Sequence, residues 1–414
     1  MADAIETDVA IVGGGPAGLS AAIALRMRGV ARVMVFERES EAGGVPRHCG
    51  HPPFGLREFG RLLTGPAYAR RLRALAHDRG VDILTGHSVV ALGQAGRLTV
   101  ATPDGISLVQ ARRVILATGA RETPRSARLV SGDRPIGVIN TGALQASIYL
   151  KGLKPFSRPV VIGTELVGLS ALWTCLRHGI RPVAVIEEQA QATARWPLNL
   201  FPHLLGVPVH YGARLADIVG RSRVDHVDIA TRDGQTTSLA CDGVLFTGRF
   251  VPEASLLRMG TFEVDGGSGG PSIDQYGRCS DPAYFATGNL LRPIETAGWC
   301  YREGQRTGTI VADDLSGRLP TAQREVRIVC ANGIKLAVPQ RLALPLEKSS
   351  AGSVQIRVSK SMSGDLVVKS GDGTDWRRPL RARVEGRILI PLAEVSIPSD
   401  CEMLEISLEP DRQP

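Results

Sequence analysis

The feature that most limits what this chain can fold into is a short apolar run, Asp8 to Val12, that ends in Gly13-Gly14-Gly15-Pro16-Ala17-Gly18 and passes into the stretch LSAAIALRMRG. An apolar run of that length bounded by glycine predicts a strand buried on both faces. The small and aliphatic stretch after it predicts a helix, and Arg32 to Phe36 predicts a second strand ending in Glu37. Together these make a complete βαβ unit with GxGxxG at its first turn. Gly13 permits the tight turn, Gly15 lets the backbone approach a pyrophosphate, and Gly18 lets helix and strand pack closely. Pro16 and Ala17 open the helix, whose free N–H groups and positive end suit phosphates. Glu37, with Arg38 beside it, lies about twenty residues beyond the glycines, where a carboxylate accepts ribose hydroxyls. The segment predicts a site for the ADP half of a dinucleotide.

At 414 residues the chain exceeds what one hydrophobic core usually serves, and about two or three domains are expected. Hydrophobic content of 43% with 22% charged residues excludes a disordered chain. No apolar run reaches the roughly 18 to 20 residues of a transmembrane helix. Met1 to Thr7 lacks the basic start and apolar stretch of a signal peptide, so a cytoplasmic location is expected. Seven cysteines without a CxxC pair give neither a disulfide framework nor a metal site. The net charge of +8 comes from arginines dispersed along the chain, which is a solvated surface rather than a nucleic-acid footprint.

Two later segments narrow the dinucleotide. Ala111 to Pro124 (ARRVILATGARETP) reads as a strand ending in Ala117-Thr118-Gly119. Phe285 to Asn289 (FATGN) ends another apolar strand, followed by Glu295-Thr296-Ala297-Gly298 and a helical stretch to Asp313. In these segments the chain resembles the two-dinucleotide-domain flavoprotein reductases of the pyridine nucleotide-disulfide oxidoreductase-like superfamily. The resemblance implies FAD as cofactor. It implies that Gly44 and Val45 approach the cofactor and that Ala117, Thr118 and Gly119 line its ADP portion. Gly288 and Asn289 would line the ribityl portion, and Glu295, Thr296 and Ala297 the pyrimidine edge. A helix starting there would stabilise the negative charge of the reduced flavin. Asn289 stands where the family has aspartate; an amide still hydrogen-bonds a ribityl hydroxyl but carries no charge.

Gly43 to Tyr68 (GGVPRHCGHPPFGLREFGRLLTGPAY) is similar to a stretch of the flavoproteins that accompany glycerol 3-phosphate dehydrogenase-like subunits. Gly137 to Gln145 (GVINTGALQ) resembles flavoprotein subunits of opine oxidases, hydroxyproline dehydrogenases and hydrogen cyanide synthase. The resemblance implies the flavoprotein component of a multi-subunit dehydrogenase, oxidising a small hydroxy or amino compound or relaying its electrons. Its partner would be a second dehydrogenase subunit or further copies of this chain. The resemblance also lays the segment after Gly44, with Arg47, His48, Cys49 and His51, along the isoalloxazine. There Cys49 can serve as a charge-transfer thiolate helped by Arg47 and the histidines, and His48 or His51 as a general base. The alternative is that both histidines cap a loop and Cys49 packs as a small apolar group. Cys300, beyond Thr296 on the final helix, is a candidate to face Cys49 across the cofactor.

Arg158 to Gly168 (RPVVIGTELVG) begins a second βαβ unit, closed by the strand Pro182 to Glu187. Glu165 occupies the place of the pyrophosphate-facing glycine. Its charge opposes a diphosphate by about 1 kcal/mol or more even when screened, and Glu187 and Glu188 would repel a 2′-phosphate. A retained fold that no longer takes NAD(P) is the expectation. Two other functions stay open: an NAD(P)H-dependent flavin reductase for a quinone, disulfide or protein acceptor, and a non-catalytic FAD-containing scaffold.

Beyond Ser316 to Gln323 the composition changes to short strand-like runs separated by Gly, Ser, Asn and Asp turns. These are Glu325 to Val329, Lys335 to Pro339, Val354 to Val358, Asp365 to Lys369, Leu380 to Val384, Arg387 to Ile390 and Met403 to Leu408. Their spacing predicts a small β-sandwich or open barrel with a docking role. The expected organisation is an α/β chain with two Rossmann-like domains and a C-terminal all-β domain: residues 1–150 with 240–320 for FAD, 151–239 of NAD(P) type, and 321–414.

Overall fold

A computed structural model of the chain describes residues 4–346, 352–371, 373, 376–384 and 386–410. It divides into two compact units, one of Met1–Gly44, Ala69–Ala120 and Pro252–Pro414, the other of Val45–Tyr68 and Arg121–Val251. The chain therefore crosses between units after Gly44 and after Ala120, rather than near residue 150, and residues 321–414 cluster with the first unit.

In the first unit five strands run parallel in the order Asp82–Thr85, Val33–Glu37, Ile5–Val12, Gly105–Leu116 and Tyr284–Ala286. Val12 pairs with Phe36 on one side and Leu116 on the other, so three strands end level beside the glycine turn. The first strand is buried on both faces, as its apolar run predicts: Val9, Ala10 and Ile11 are fully buried. An antiparallel hairpin, Ser88–Leu92 and Arg97–Thr102, continues the sheet from the Gly105–Leu116 strand.

The helix Pro16–Met27 packs directly on the helix Ala297–Leu315. Their contact is made of small residues. A Cβ on Gly304 would lie 2.1 Å from the Ala17 carbonyl oxygen, and one on Gly308 2.4 Å from that of Ala21. The two backbones thus touch, and both helices begin at the same end of the sheet, where a Cβ on Gly288 would lie 2.7 Å from the Ala17 Cβ.

The C-terminal segment forms two sheets. One holds Arg341–Leu344, Arg324–Cys330, Met403–Pro410, Met362–Ser370 and Trp376–Ala382; the other holds Ile334–Val338, Ser353–Val358 and Ile388–Pro391. Val326, Leu342, Leu366 and Leu408 from the first share one core with Val354, Ile356 and Ile390 from the second, which makes the segment a sandwich. Seven of these strands match sequence runs, with Leu380 to Val384 displaced to Trp376–Ala382. The strand Arg341–Leu344 is an addition. It lies between Pro339 and Pro345; proline is tolerated where an edge strand ends, and this strand is an edge. Leu336 and Val338 turn away from the sandwich and join the core beneath the parallel sheet, while Ala337 between them joins the sandwich core. One strand thus serves two cores, the physical reason residues 321–414 do not separate.

The second unit repeats the parallel pattern in the order Val209–Tyr211, Ala184–Glu187, Pro159–Ile162, Gly243–Phe246 and Val138–Asn140. An antiparallel meander, Ala213–Val219, His226–Thr231 and Thr236–Ala240, completes it. The chain is a mixed α/β protein with two Rossmann-like sheets. No helix among the described residues is long and apolar enough to cross a membrane.

Because Gly308 meets the Ala21 backbone, Gly308→Val is expected to destabilise the protein by about 1–3 kcal/mol. A lower urea midpoint together with partial loss of bound cofactor would register it, whereas an unchanged midpoint would contradict the close helix contact.

Candidate functional site

The first glycine turn offers bare backbone and an open helix end. Gly13 is pressed against the Ala117 carbonyl, where a Cβ would come to 2.5 Å, and its φ of +108° favours glycine. Gly15 faces Gly44 across a gap: its Cβ would find only the Gly44 Cα, at 3.9 Å. Gly15 caps the helix without a side-chain hydrogen bond, and no acidic residue sits in the first turn. The first amides of the helix are therefore available to an anion. Glu37 is buried at the strand end, its carboxylate accepting from the amides of Gly14 at 3.0 Å and Glu39 at 2.9 Å. Those bonds fix the carboxylate and leave lone pairs for hydroxyl donors. The arrangement fits an ADP moiety. Arg38 is exposed and pairs with Glu39, and Val45 is exposed at the start of the second unit. Thr118 Oγ1 donates to the Glu253 carbonyl at 2.8 Å, so what Ala117, Thr118 and Gly119 present is mainly backbone.

The closing segment is more committed than its sequence suggests. The Asn289 side chain bonds the Glu295 backbone on both edges, Oδ1 accepting from the amide at 2.7 Å and Nδ2 donating to the carbonyl at 3.1 Å. A carboxylate in its place has no hydrogen to give that carbonyl, so the amide closes this loop as the family's aspartate would not. Glu295 is likewise spent within the protein: its carboxylate accepts from Gln355 Nε2 at 2.6 Å and pairs with Arg357 at 3.0 Å. The Gly288 amide is given to Glu303 and its carbonyl accepts from Leu291, so what remains toward a ligand is backbone at the start of the helix at Ala297. Thr296 caps that helix with no side-chain hydrogen bond, and its first turn carries no acid.

Both candidate cysteines are buried, as the packing alternative for Cys49 expects. Cys49 is buried, its thiol directed at the Val45 carbonyl and Gln145 Oε1, each at 3.4 Å. Burial first, and then the Glu122 carboxyl, push it up to about 12. Cys300 is pushed up to about 12 as well, by burial and then Glu303. Both are neutral thiols near pH 7, and a charge-transfer thiolate needs the opposite environment. They belong to different units, Cys49 to the second and Cys300 to the first. Arg47 and His48 lie in the turn Val45–His48, both half-buried. His51 Nδ1 lies 2.9 Å from the Pro52 carbonyl. In a neutral imidazole that acceptor places the proton on Nδ1 and makes Nε2 the basic nitrogen.

Sequence reasoning found Glu165 but not its destination. Glu165 caps the helix Leu166–Arg177, and its side chain folds back into the glycine cradle. Oε2 lies 2.5 Å from where a Gly163 Cβ would be, and Oε1 2.5 Å from where a Gly248 Cβ would be. Burial raises its pKa, and Oε1 has no hydrogen-bond partner among the described residues. Thr247 Oγ1, which touches this carboxyl, gives its own hydrogen to the Ile162 carbonyl at 2.7 Å. The cradle that a dinucleotide phosphate would use is filled by the Glu165 carboxyl.

A second buried carboxyl sits nearby. Glu122 accepts from the Gly142 amide at 2.8 Å, and its Oε1 is shielded without a partner among the described residues. Burial, in spite of that bond, pushes it up to about 7, with Glu165 adding to the rise and Arg128 opposing it. Arg128 spends its guanidinium on the carbonyls of Thr123, Thr247 and Gly248 over the Phe246 ring. Nothing in the sequence marked Glu122, which lies in the unremarkable run after Ala117-Thr118-Gly119.

The parallel sheets and glycine turns define a protein of the dinucleotide-binding flavoprotein class. Residues 7–304 match the pyridine nucleotide-disulphide oxidoreductase family, and the chain belongs to that family. It is an FAD-dependent oxidoreductase. The ferredoxin reductase component of chlorobenzene dioxygenase from Cupriavidus sp. (strain PS12) is 27% identical, covering 73% of this chain and 70% of that one. The hydrogen cyanide synthase subunit HcnB of Pseudomonas aeruginosa is 32% identical over 54% of this chain, and the match spans about half of that relative, 51%. T. acidophilum thioredoxin reductase shares the fold, with a TM-score of 0.63 at 22% identity over 75% of this chain and 98% of that one. Relatives of this chain are thus both reductases and subunits of multi-subunit enzymes, which bears out the family resemblance and FAD.

Glu122 gives a signed pH dependence. Its folded pKa of about 7 lies above the reference of 4.5, so the folded protein holds a proton that the unfolded chain releases. The resulting stability is full below about pH 4.5 and declines as pH rises to about 7, by about 3 kcal/mol. Urea midpoints of the wild type and Glu122→Gln at pH 5 and 8 test this; the variant is expected to lose less stability over that interval.

Proposed function

We propose that this chain is the nicotinamide-independent flavoprotein component of a multi-subunit dehydrogenase, oxidising a small hydroxy or amino compound or relaying its electrons. The observation that carries the reading is the Glu165 carboxyl seated between Gly163 and Gly248, where a second dinucleotide would place its phosphates. The two Rossmann-like sheets then differ in use. The first holds FAD through Gly13, Gly15, Gly18, Glu37 and Gly44, with backbone of Thr118, Gly119, Gly288 and Ala297 along the cofactor. The second keeps the dinucleotide fold with its phosphate cradle closed from within.

FAD supplies hydride acceptance when bound. For this chain's own groups, His51 is the candidate base for the proton of an alcohol or amine, given its Nε2 lone pair, and Cys49 is a neutral packing group rather than a redox thiol. The relatives support a partner subunit: HcnB is by name one subunit of a synthase, and the dioxygenase reductase is one component of a larger system.

Anaerobic stopped-flow absorbance tests the reading. NADH and NADPH are expected to leave the flavin band near ~450 nm unbleached, while dithionite reduces it. Rapid bleaching by either nucleotide would sink the proposal and make the protein a pyridine-nucleotide reductase. Removing the internal occupant with Glu165→Gly is expected to strengthen NAD(P)H binding by about tenfold, some 1.4 kcal/mol, by calorimetry. With any donor that reduces the wild type, His51→Gln should slow the reductive step by about 10²–10⁴-fold.

A further inference from the structure

The C-terminal sandwich meets the closing segment through four charged side chains and one amide. Arg357 is 3% exposed; it donates to the carbonyls of Pro293 and Ile294 and pairs with Glu295 at 3.0 Å. Gln355, beside it in the sandwich core sheet and 4% exposed, donates from Nε2 to Glu295 at 2.6 Å and accepts from Arg292 Nε at 3.0 Å. Arg292, 2% exposed, forks onto Glu303 at 2.8 and 3.2 Å. Glu303 Oε2 in turn accepts from the Gly288 amide at 3.0 Å. Burial lowers the Arg292 pKa, but the Glu303 carboxylate raises it further, so the guanidinium stays charged.

The chain of bonds runs from strand Ser353–Val358 to both ends of the segment Gly288–Thr296, holding its shape from behind. Its two guanidinium groups and two carboxylates sum to zero. Arg387, exposed and over the Trp299 ring at 3.8 Å, adds a further cation within electrostatic reach of Glu295 and Glu303. In a buried place, removing one member leaves its partner's charge uncompensated, with little water to screen it.

We infer that Gln355 and Arg357 are positioning residues through which the sandwich sets the midpoint potential of FAD: they hold Gly288–Thr296 in place, and Arg357 cancels Glu295 behind the start of the helix Ala297–Leu315. The inference rests on the reading that this segment lies along the cofactor. A net negative charge left there opposes the charge that builds on the cofactor during reduction, and a net positive charge favours it. The sandwich, far in sequence from the glycine turn, thereby acts on redox chemistry and not only on assembly.

The test is a dye-coupled equilibrium titration of the FAD-loaded protein, which needs neither donor nor nicotinamide. Arg357→Met is expected to lower the reduced-to-oxidised ratio at a fixed ambient potential by about tenfold, about 30 mV for a two-electron couple. Glu295→Gln is expected to raise it by a similar factor, and the double variant to return toward wild type. Arg357→Lys, keeping the charge but not the fork onto two carbonyls, should stay near the wild-type potential while releasing FAD more readily in a fluorescence titration. If Arg357→Met does not retain FAD, Glu295→Gln alone decides. Single variants that retain FAD and shift in the same direction, or do not shift, overturn the inference. Bleaching of the wild type by NADH would instead overturn only the nicotinamide-independent reading and leave these shifts in force.

Discussion

The helices Pro16–Met27 and Ala297–Leu315 touch through Ala17 and Gly304 and through Ala21 and Gly308, with no space for a methyl group between the backbones. This contact brings together two segments separated by more than half the chain. One helix starts at the glycine turn and the other at the end of the closing segment, and the same contact sets both starts side by side. Each start is uncapped by any side chain and free of acid in its first turn. Two positive helix ends therefore meet at one edge of the parallel sheet, an electrostatic ground that suits an anionic dinucleotide. Larger side chains in the contact would separate the ends and leave each with only part of a site.

The two glycine cradles show how one side chain redirects a fold. They share sheet order and turn, and both place a helix N-terminus at the level of a strand end. In the first the third position of the turn is Gly15, and the groove stays open toward Gly44. In the second it is Glu165, and the carboxyl lies against Gly163 and Gly248. Burial, with the neighbouring Glu187 adding to it, raises the pKa of that carboxyl.

Asn289, Glu295 and Arg357 show the converse, residues that hold the closing segment Gly288–Thr296 from behind. The amide of Asn289 is required because the loop asks one side chain both to donate and to accept. The ion pair of Glu295 and Arg357 is retained in a buried place, where breaking it costs about 3–5 kcal/mol. It ties the sandwich to the closing segment, so that the C-terminal residues cluster with the first unit instead of standing as a separate module.

By itself the sequence determined the βαβ unit at Gly13 to Gly18, the second at Gly163 to Gly168, the closing helix and most of the C-terminal strands. All are local: apolar period, glycine where a turn needs it, and turn residues between strands are written in adjacent positions. The identity of Glu165 was legible for the same reason. Where its carboxyl goes was not, because that depends on Gly248, brought beside it by the sheet. The neutral state of Cys49 was hidden likewise, since burial is a property of the packed unit and not of neighbouring Arg47 and histidines. The strand Arg341–Leu344 exists because Arg324–Cys330 offers it an edge. The pairing of Glu295 with Arg357 joins positions 62 apart that share no pattern. Only tertiary structure decides such matters, because burial, charge compensation and edge pairing depend on which distant residues fill the space around a side chain.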